Sequence, residues 1–407
     1  MVLQNQIDFV SSEGREGKTY NQPVVLQLPT GATWQAANTT VATLNTNVVA
    51  SQLGNASVAG SSIINRDLLS YDSAAKAASA GKAAFMQATA LTIKNLMKAT
   101  SKFLELDLLY GGGTAGSTGN SLAQTTTIVA ASGTTATVTI SYGTWAPAIF
   151  AGMENAYVDF YNAGSVVAAA GAYYISAVNV VPASMTVGGT LTITGTAGNI
   201  TTLVALSGTT LDIYWYTSYG AQMSGLRQIL TNTGSLFGIS ATSYSNWRAN
   251  SYDAGNTQLT FGKLQAAIAK AVNRGLDTEA TTYIAPPTFA NLVDEQAGAR
   301  LYDSSYSKEK AENGVRKLEF FSANGVIRIQ PHIFMHQGEA MILALDEIKR
   351  IGPADGVQDT LPGMGDSHFL VQSPTYASFE VRNYVNQGVL IEAPLHAVLI
   401  QNIGNVA

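Results

Sequence analysis

The hydrophobic period of the chain changes at Gly111-Gly112-Gly113, and this switch limits the fold more than any other sequence feature. Upstream, residues 72–110 are dominated by Ala, Lys, Met, Leu and Gln, strong helix formers, with a single glycine at 81. Asp72 and Ser73 are suitable N-caps. At about 100° per residue, Met86, Ile93, Met97 and Leu104 fall on one stripe, flanked by Phe85, Leu96 and Phe103. Lys76, Lys94, Lys98 and Lys102 fall on the opposite side. The pattern predicts an amphipathic helix about 50 Å long at about 1.5 Å per residue. Downstream, TATVTI (135–140), AYVDFY (156–161), GTLTITGT (189–196) and TLDIYWY (210–216) alternate or run β-branched and aromatic, separated by glycine turns. Residues 114–219 therefore read as an all-β barrel or sandwich, glycine-flanked at both ends like an insertion.

The remaining segments fit an α+β chain. Residues 1–70 contain no helix signal. A strand over 22–28 is followed by Pro29-Thr-Gly31, a polar tract to Gly54, and a second extended run over 57–69. Such a loop builds no core alone and must lie on something else. Beyond 220, FGKLQAAIAKAVNR (261–274) predicts a helix closed by Gly275. TTYIAPPTFANLVDEQ predicts a strand and a short helix. Runs at 316–321 and 326–329 pair around Asn324-Gly325. A strand follows at 341–345, and 377–384 and 389–400 close the chain as long extended runs.

Composition narrows function. At roughly 150 residues per domain, 407 residues give two or three units. Charged residues are only 12 %, and 27 acidic against 22 basic side chains leave a net charge of −5. That excludes a strongly basic nucleic-acid coat and a charged coiled coil. Apolar residues at 46 % suffice for a core. Abundant Gly, Ser, Thr, Ala and Asn suit surfaces buried against copies of the same chain. With no cysteine there are no disulfides, thiolate sites or cysteine nucleophiles. The first residues lack a basic stretch followed by an apolar run, so no signal peptide is expected. The apolar window 164–181 is broken by Ser176 and Asn179 and followed by Pro182, so it reads as buried strands, and no membrane partner is expected.

No catalytic constellation emerges. Gly14-Arg15-Glu16-Gly17-Lys18-Thr19 has Ser12 where a phosphate loop needs glycine, and Pro23 with a β run follows where a helix must start. Its charges Glu13, Arg15, Glu16 and Lys18 read as a turn that pairs across subunits. His332 and His336, with Glu339 nearby, sit in a predicted turn after Pro331 rather than on one helix face, and His368 and His396 are remote in sequence. Ser367 lacks the closing glycine of a nucleophile elbow. Asp294 and Glu295, on a helix with Arg300, read as ion-pair residues. The chain is read as a non-enzyme with no cofactor and no metal. Lys94, Lys98 and Lys102 are candidates for weak, sequence-blind contact with a polyanion.

The order of these pieces resembles the major capsid proteins of tailed double-stranded DNA phages, the Hong Kong 97-like fold. GKTYNQPVVLQLPTGATW with VAGSSIINRDLLSYD resembles the extended loop, and SAAKAASAGKAAFMQATALTIKNLMKATSKFLELDLLYG the long spine helix. SGLRQILTNTGSLFGISATSYSNWRAN is similar to the segment after a β insertion, and YIAPPTFANLVDEQ with FFSANGVIRIQPHIFMHQGEAMILALDE to the axial domain. The resemblance implies an N-arm and extended loop (1–70), a spine helix (71–113), an inserted β domain (114–219), a peripheral segment with the axial domain (220–375) and C-terminal peripheral strands (376–407). It implies hexamers and pentamers in an icosahedral virion shell around double-stranded DNA, assembled in the host cytoplasm. Implied partners are a portal, a decoration protein and, since only about 20 residues precede the loop, a separate scaffolding protein. In some members a loop lysine is crosslinked to a neighbour's asparagine, for which Lys18 and Asn383 or Asn386 are candidates. An encapsulin-type compartment and a β-rich surface protein are the alternatives.

Overall fold

In a computed structural model of the chain, residues 2–11, 19–37, 44–70, 88–113, 116, 119–180, 188–301, 318–322, 325–358, 370–372 and 378–405 are described. The long helix is described from Ala88 to Tyr110. The proposed cap at Asp72 and Ser73, with Lys76, Phe85 and Met86, lies outside the described residues. Toward its C-terminus the helix is buried on every side, through Leu104, Leu106, Leu108, Leu109 and Tyr110. A helix apolar all round runs through a core rather than over one. The single stripe expected from the sequence is corrected accordingly: Leu96 and Leu104 are buried, but Met97 is exposed.

Gly111-Gly112-Gly113 do more than end the helix. The chain leaves there and returns beside itself: Gly225 N–H donates to Gly111 C=O (2.8 Å), Gly113 N–H to Met223 C=O (3.1 Å), and Gly112 bridges Ser224. A Cβ on Gly111 would lie 2.2 Å from the Met223 carbonyl oxygen, and one on Gly225 2.5 Å from the Gly111 nitrogen. Only glycine permits this crossing.

Between the two crossing strands lies a seven-stranded antiparallel sheet, Ala123–Ser132, Thr135–Ile140, Tyr157–Asn162, Ser165–Val166, Tyr173–Asn179, Thr190–Gly195 and Asp212–Trp215. It closes into a barrel because Asp212–Trp215 pairs with both Ala123–Ser132 and Tyr157–Asn162. Closure removes free strand edges. Inward residues alternate along the strands, as in the iBiBiB burial of Thr135–Ile140, and Val138, Phe160, Ile175 and Ile193 fill the interior with Trp145 and Phe150. The unit is not all-β as expected: helix Ala197–Ala205 packs on it, burying Ile200 and Leu203, with its first turn capped by the Thr196 side chain. Trp215 meets Phe103 of the long helix edge-on at 6.0 Å, so barrel and helix share one apolar cluster.

A six-stranded mixed sheet runs Asn250–Thr257, Val398–Ile403, Ala340–Leu343, Ala280–Ile284, Gly325–Pro331 and Leu318–Ser322. Helix Phe261–Val272 packs on it through Leu264, Ala267, Ile268 and Ala271. That helix starts where the Thr260 side chain accepts from Lys263 N–H and stops before Gly275 at φ +102°. Pro286–Leu301 is a full 16-residue helix rather than the short one expected. A five-stranded sheet joins Asp8–Ser11, Ile348–Gly352, Ser378–Ile391, Leu370–Gln372 and Ser61–Ser70.

Two further expectations are corrected. The N-terminal region does contain a helical turn, Leu3–Gln6, made possible by a distant carboxylate described below. The C-terminal runs divide differently: one strand spans Ser378–Ile391, and a 3-10 turn at Pro394–His396 breaks it from Val398–Ile403. Pro394 has no N–H to continue a ladder.

Candidate functional site

The most distinctive surface is built by a hairpin. Tyr20–Gln27 and Gln52–Val58 pair antiparallel from Tyr20↔Val58 to Gln27↔Gln52. Alternation puts Tyr20, Val24, Leu26, Ala56 and Val58 on one face, buried against Ile239, Ala241, Trp247, Ile351 and Leu390. The other face carries exposed Val25 and Leu53. Beyond the paired strands, Leu28, Trp34 (87 % exposed), Leu44 and Val48 are also exposed. The two limbs are tied by Thr30 N–H to Val49 C=O (3.0 Å) and Asn45 N–H to Thr33 Oγ1 (2.8 Å). One face of the hairpin is thus docked on its own body while the other presents Val25 and Leu53 to solvent.

Beside it, Ser61–Ser70 pairs with Ser378–Ile391 over its full length, from Ser61↔Gln387 to Ser70↔Ser378. Its other edge has no strand partner among the described residues. Along that edge the Asn65 side-chain amide oxygen accepts from Arg66 N–H (3.0 Å) and the Asp67 carboxylate from Leu68 N–H (2.8 Å), which blunts it against uncontrolled pairing.

Two buried charged groups fix the frame behind these surfaces, and sequence reasoning identified neither pairing. Glu105, fully buried between Leu104 and Leu106, accepts from the amides of Val2 (2.7 Å), Leu3 (2.8 Å) and Gln4 (3.3 Å), and meets His332 Nε2 at 2.9 Å. Burial works to raise its pKa, but His332 and the amides outweigh it and hold the carboxyl below its ordinary value. Arg227 forms a two-pronged pair with Glu339, Nε and Nη2 to Oε1 at 2.9 and 2.7 Å and Nε to Oε2 at 3.0 Å. Burial opposes ionisation of Glu339 too, yet Arg227 and His336 hold its pKa down at about 2.

The sequence-nominated residues fall in several places. Glu13, Arg15, Glu16 and Lys18 lie outside the described residues, as do Ser367 and His368. Lys94 and Lys98 are exposed, but Lys102 is half-buried, its Nζ 6.0 Å from the Phe334 ring centre and its pKa lowered by burial to about 8. The three lysines therefore do not share one solvent face. His332 and His336 serve different partners: His336 stacks on Tyr110 at 3.8 Å and its Nε2 lies 3.1 Å from the Leu122 carbonyl. Among the described residues no metal-binding cluster forms. His396 Nδ1 meets Glu347 at 2.6 Å. Glu295 accepts from Phe261 N–H (3.2 Å) at a helix start, and Asp294 is exposed. Asn383 is fully buried, which takes it out of a neighbour's reach; Asn386 is half-buried and donates to the Tyr384 hydroxyl (3.2 Å).

No protein-family profile and no curated protein sequence matches the chain. Solved structures do. A chain of the cyanophage A-1(L) capsid asymmetric unit aligns over 99 % of this chain and 92 % of its own, at 12 % identity and a TM-score of 0.54. The capsid of a native GTA particle aligns over 98 % and 89 %, at 7 % identity and a TM-score of 0.48. The capsid of Myoviridae phage XM1 aligns over 99 % and 91 %, at 7 % identity and a TM-score of 0.44. From its first described residues to its last, the chain has the fold of the cyanophage A-1(L) capsid chain.

Proposed function

We propose that this chain is the major capsid protein of a tailed double-stranded DNA phage, a structural rather than catalytic protein that self-assembles into hexamers and pentamers of an icosahedral shell. The observation that carries the reading is the two-faced hairpin: its inner face is satisfied within the chain, its outer face carries exposed Val25 and Leu53, and exposed Leu28 and Trp34 follow just beyond the paired strands. Burying such a face against a neighbouring copy removes apolar area from water at about 25 cal/mol per Å², and a shell repeats that contact around every ring. The whole-chain likeness to a phage capsid chain supports the same reading. In this reading the barrel of residues 114–219 is an inserted domain that braces neighbours or decorates the outside. Lys94 and Lys98 face the genome, the charged turn at 13–18 pairs across subunits, and a separate scaffolding protein and a portal take part in assembly within the host.

Negative-stain microscopy and sedimentation of the purified chain, with and without co-expressed proteins from the same source, test this. Rings or closed shells are expected. A clean monomer under every condition sinks the reading, and closed shells that package protein and exclude nucleic acid support the encapsulin alternative instead.

A further inference from the structure

The turn after the small hairpin Ser235–Leu236/Ile239–Ser240 and the end of helix Phe261–Val272 enclose an open cleft of about 540 Å³. Two guanidinium groups line it, Arg248 and Arg274, together with the hydroxyl residues Thr242, Ser243 and Ser245. Arg274 is held in place: its Nη1 donates to the Arg248 carbonyl (2.8 Å) and to Asn250 Oδ1 (3.0 Å), and its Nη2 donates to the Ser245 carbonyl. Asn250 is itself anchored through Nδ2 to the Leu395 carbonyl (2.7 Å). Arg248 is exposed. Among the described residues neither guanidinium has a carboxylate partner; every oxygen that Arg274 engages is neutral. Burial, then the positive charge of Arg248, pull the Arg274 guanidinium below its ordinary pKa, so the two cations feel one another.

We propose that this cleft is a binding site for a phosphate group. Two like charges brought together with no counter-charge are a local cost, and a chain of net charge −5 has carboxylates with which to cancel them elsewhere. An oxyanion removes the repulsion and accepts from both guanidiniums at once. Phosphate suits the lining: Arg274 keeps its Nε and one Nη2 hydrogen beyond the three neutral oxygens it already engages, Arg248 adds its exposed fork and Ser245 a hydroxyl, while the Thr242 and Ser243 hydroxyls pair with Ser240, and the cleft is open enough to admit an anion that belongs to a larger molecule. The same chemistry comes from free phosphate or from a nucleic-acid backbone. The proposal stands apart from the shell reading, because the cleft is formed within one chain.

Isothermal titration of the full-length chain with inorganic phosphate, at constant ionic strength in chloride, tests it. Saturable binding is expected, at least tenfold weaker in Arg248→Gln. This variant is chosen because, among the described residues, the Arg248 side chain makes no hydrogen bond or ion pair, whereas Arg274 makes three hydrogen bonds; its unchanged melting temperature in chloride confirms a folded control. A duplex of about 20 base pairs is the second probe. Tighter, salt-sensitive duplex binding that is weakened by the same variant supports the site with nucleic acid as its source. Duplex binding unaffected by the variant, beside phosphate binding that is lost, supports it with free phosphate as its source. No saturable phosphate binding, or an isotherm identical in Arg248→Gln, overturns the proposal. Particles counted by microscopy in the same samples keep this outcome separate from failure of the shell reading.

Discussion

Glu105 and His332 meet at 2.9 Å in the core, and the same carboxylate gathers the amides of Val2, Leu3 and Gln4. One side chain thereby ties the first residues of the chain to the long helix and to the turn after Gly325–Pro331. Hydrogen bonds to a charged group are worth about 1.5–3 kcal/mol each, net. Glu105→Gln keeps one acceptor and loses the charge, so a destabilisation of about 2 kcal/mol is expected, with faster hydrogen exchange at residues 2–6. The pH dependence follows from the sign of the shift. The folded pKa lies below the ordinary 4.5, so this stabilisation is complete above that value and is lost as pH falls through the folded pKa. Glu339, with a folded pKa of about 2, behaves the same way and extends the loss to lower pH. Denaturant melts between pH 6 and pH 2 measure both.

Asp107 has the opposite sign. Burial raises its pKa to about 7, against a hydrogen bond from Gln222 Nε2 at 2.8 Å that lowers it. The folded state therefore prefers the protonated carboxyl, and the carboxylate costs stability increasingly as pH rises from the ordinary 3.8 toward 7. Asp107→Asn should stabilise the chain at pH 8 by about 1–4 kcal/mol and by clearly less at pH 5. Equal effects at both pH values would show that Asp107 ionises freely in the folded chain.

These two residues also show where sequence reading stops. The period-two runs and the helix at 88–110 were legible because each is a local pattern that burial merely completes. Glu105 and Asp107 were not, because a carboxylate inside the run Leu104 to Tyr110 is assigned by pattern to a solvated face. Its actual partners, Val2 and His332 for Glu105 and Gln222 for Asp107, are far away in sequence. The role of Gly111 was half legible: the helix stop was visible, the crossing with Met223 and Gly225 was not. The two-faced hairpin was legible as an element needing support, but which face docks internally depends on Ile239, Trp247 and Leu390, again distant in sequence.

Among the lysines, the half-burial of Lys102 separates it from Lys94 and Lys98. Lys94→Glu with Lys98→Glu should lower DNA retention more than particle number, read by nuclease-protected nucleic acid per particle. Lys102→Met should leave retention unchanged and leave stability equal or higher, since burial already disfavours its charge. Loss of retention on changing Lys102 alone would place all three on one functional face.

The hairpin surface separates assembly from folding. Trp34 is 87 % and Leu53 69 % exposed, so Trp34→Ser and Leu53→Ser should change the stability of the isolated chain by no more than about 0.5 kcal/mol. The assembled fraction in sedimentation should fall severalfold. By contrast Val24→Ala, on the buried face, should destabilise the isolated chain by about 1–2 kcal/mol. Equal effects from both faces would mean that the outer face is not an intersubunit contact.

The barrel supplies the last test, and the crossing at Gly111 decides its form. Chain entry and exit lie side by side, bonded Gly225 to Gly111 and Gly113 to Met223, and the barrel strands between them pair into a closed ring. Its apolar interior and its length of about 100 residues suffice for an independent core. With the body it shares the Trp215 contact to Phe103, the Gln337 and Gly338 amides on the Trp145 and Gly143 carbonyls (3.0 Å each), Arg227 on the Gly119 carbonyl (2.6 Å) and His336 against the Leu122 carbonyl, so the fragment test asks whether the internal core outweighs the loss of these ties. A fragment of residues 119–219 should therefore give a β-type far-ultraviolet spectrum and a cooperative melt. Compared with a full chain carrying Trp34→Phe and Trp247→Phe, so that Trp145 and Trp215 alone report in both, the fragment's tryptophan emission should lie to the red, because Trp215 loses its cover. In the full chain, Gly225→Ala forces a Cβ into the Gly111 backbone and should destabilise the body while a fragment lacking that residue is untouched. An unfolded fragment would mean that the body templates the barrel, and residues 114–219 would then be part of the main fold rather than an insertion.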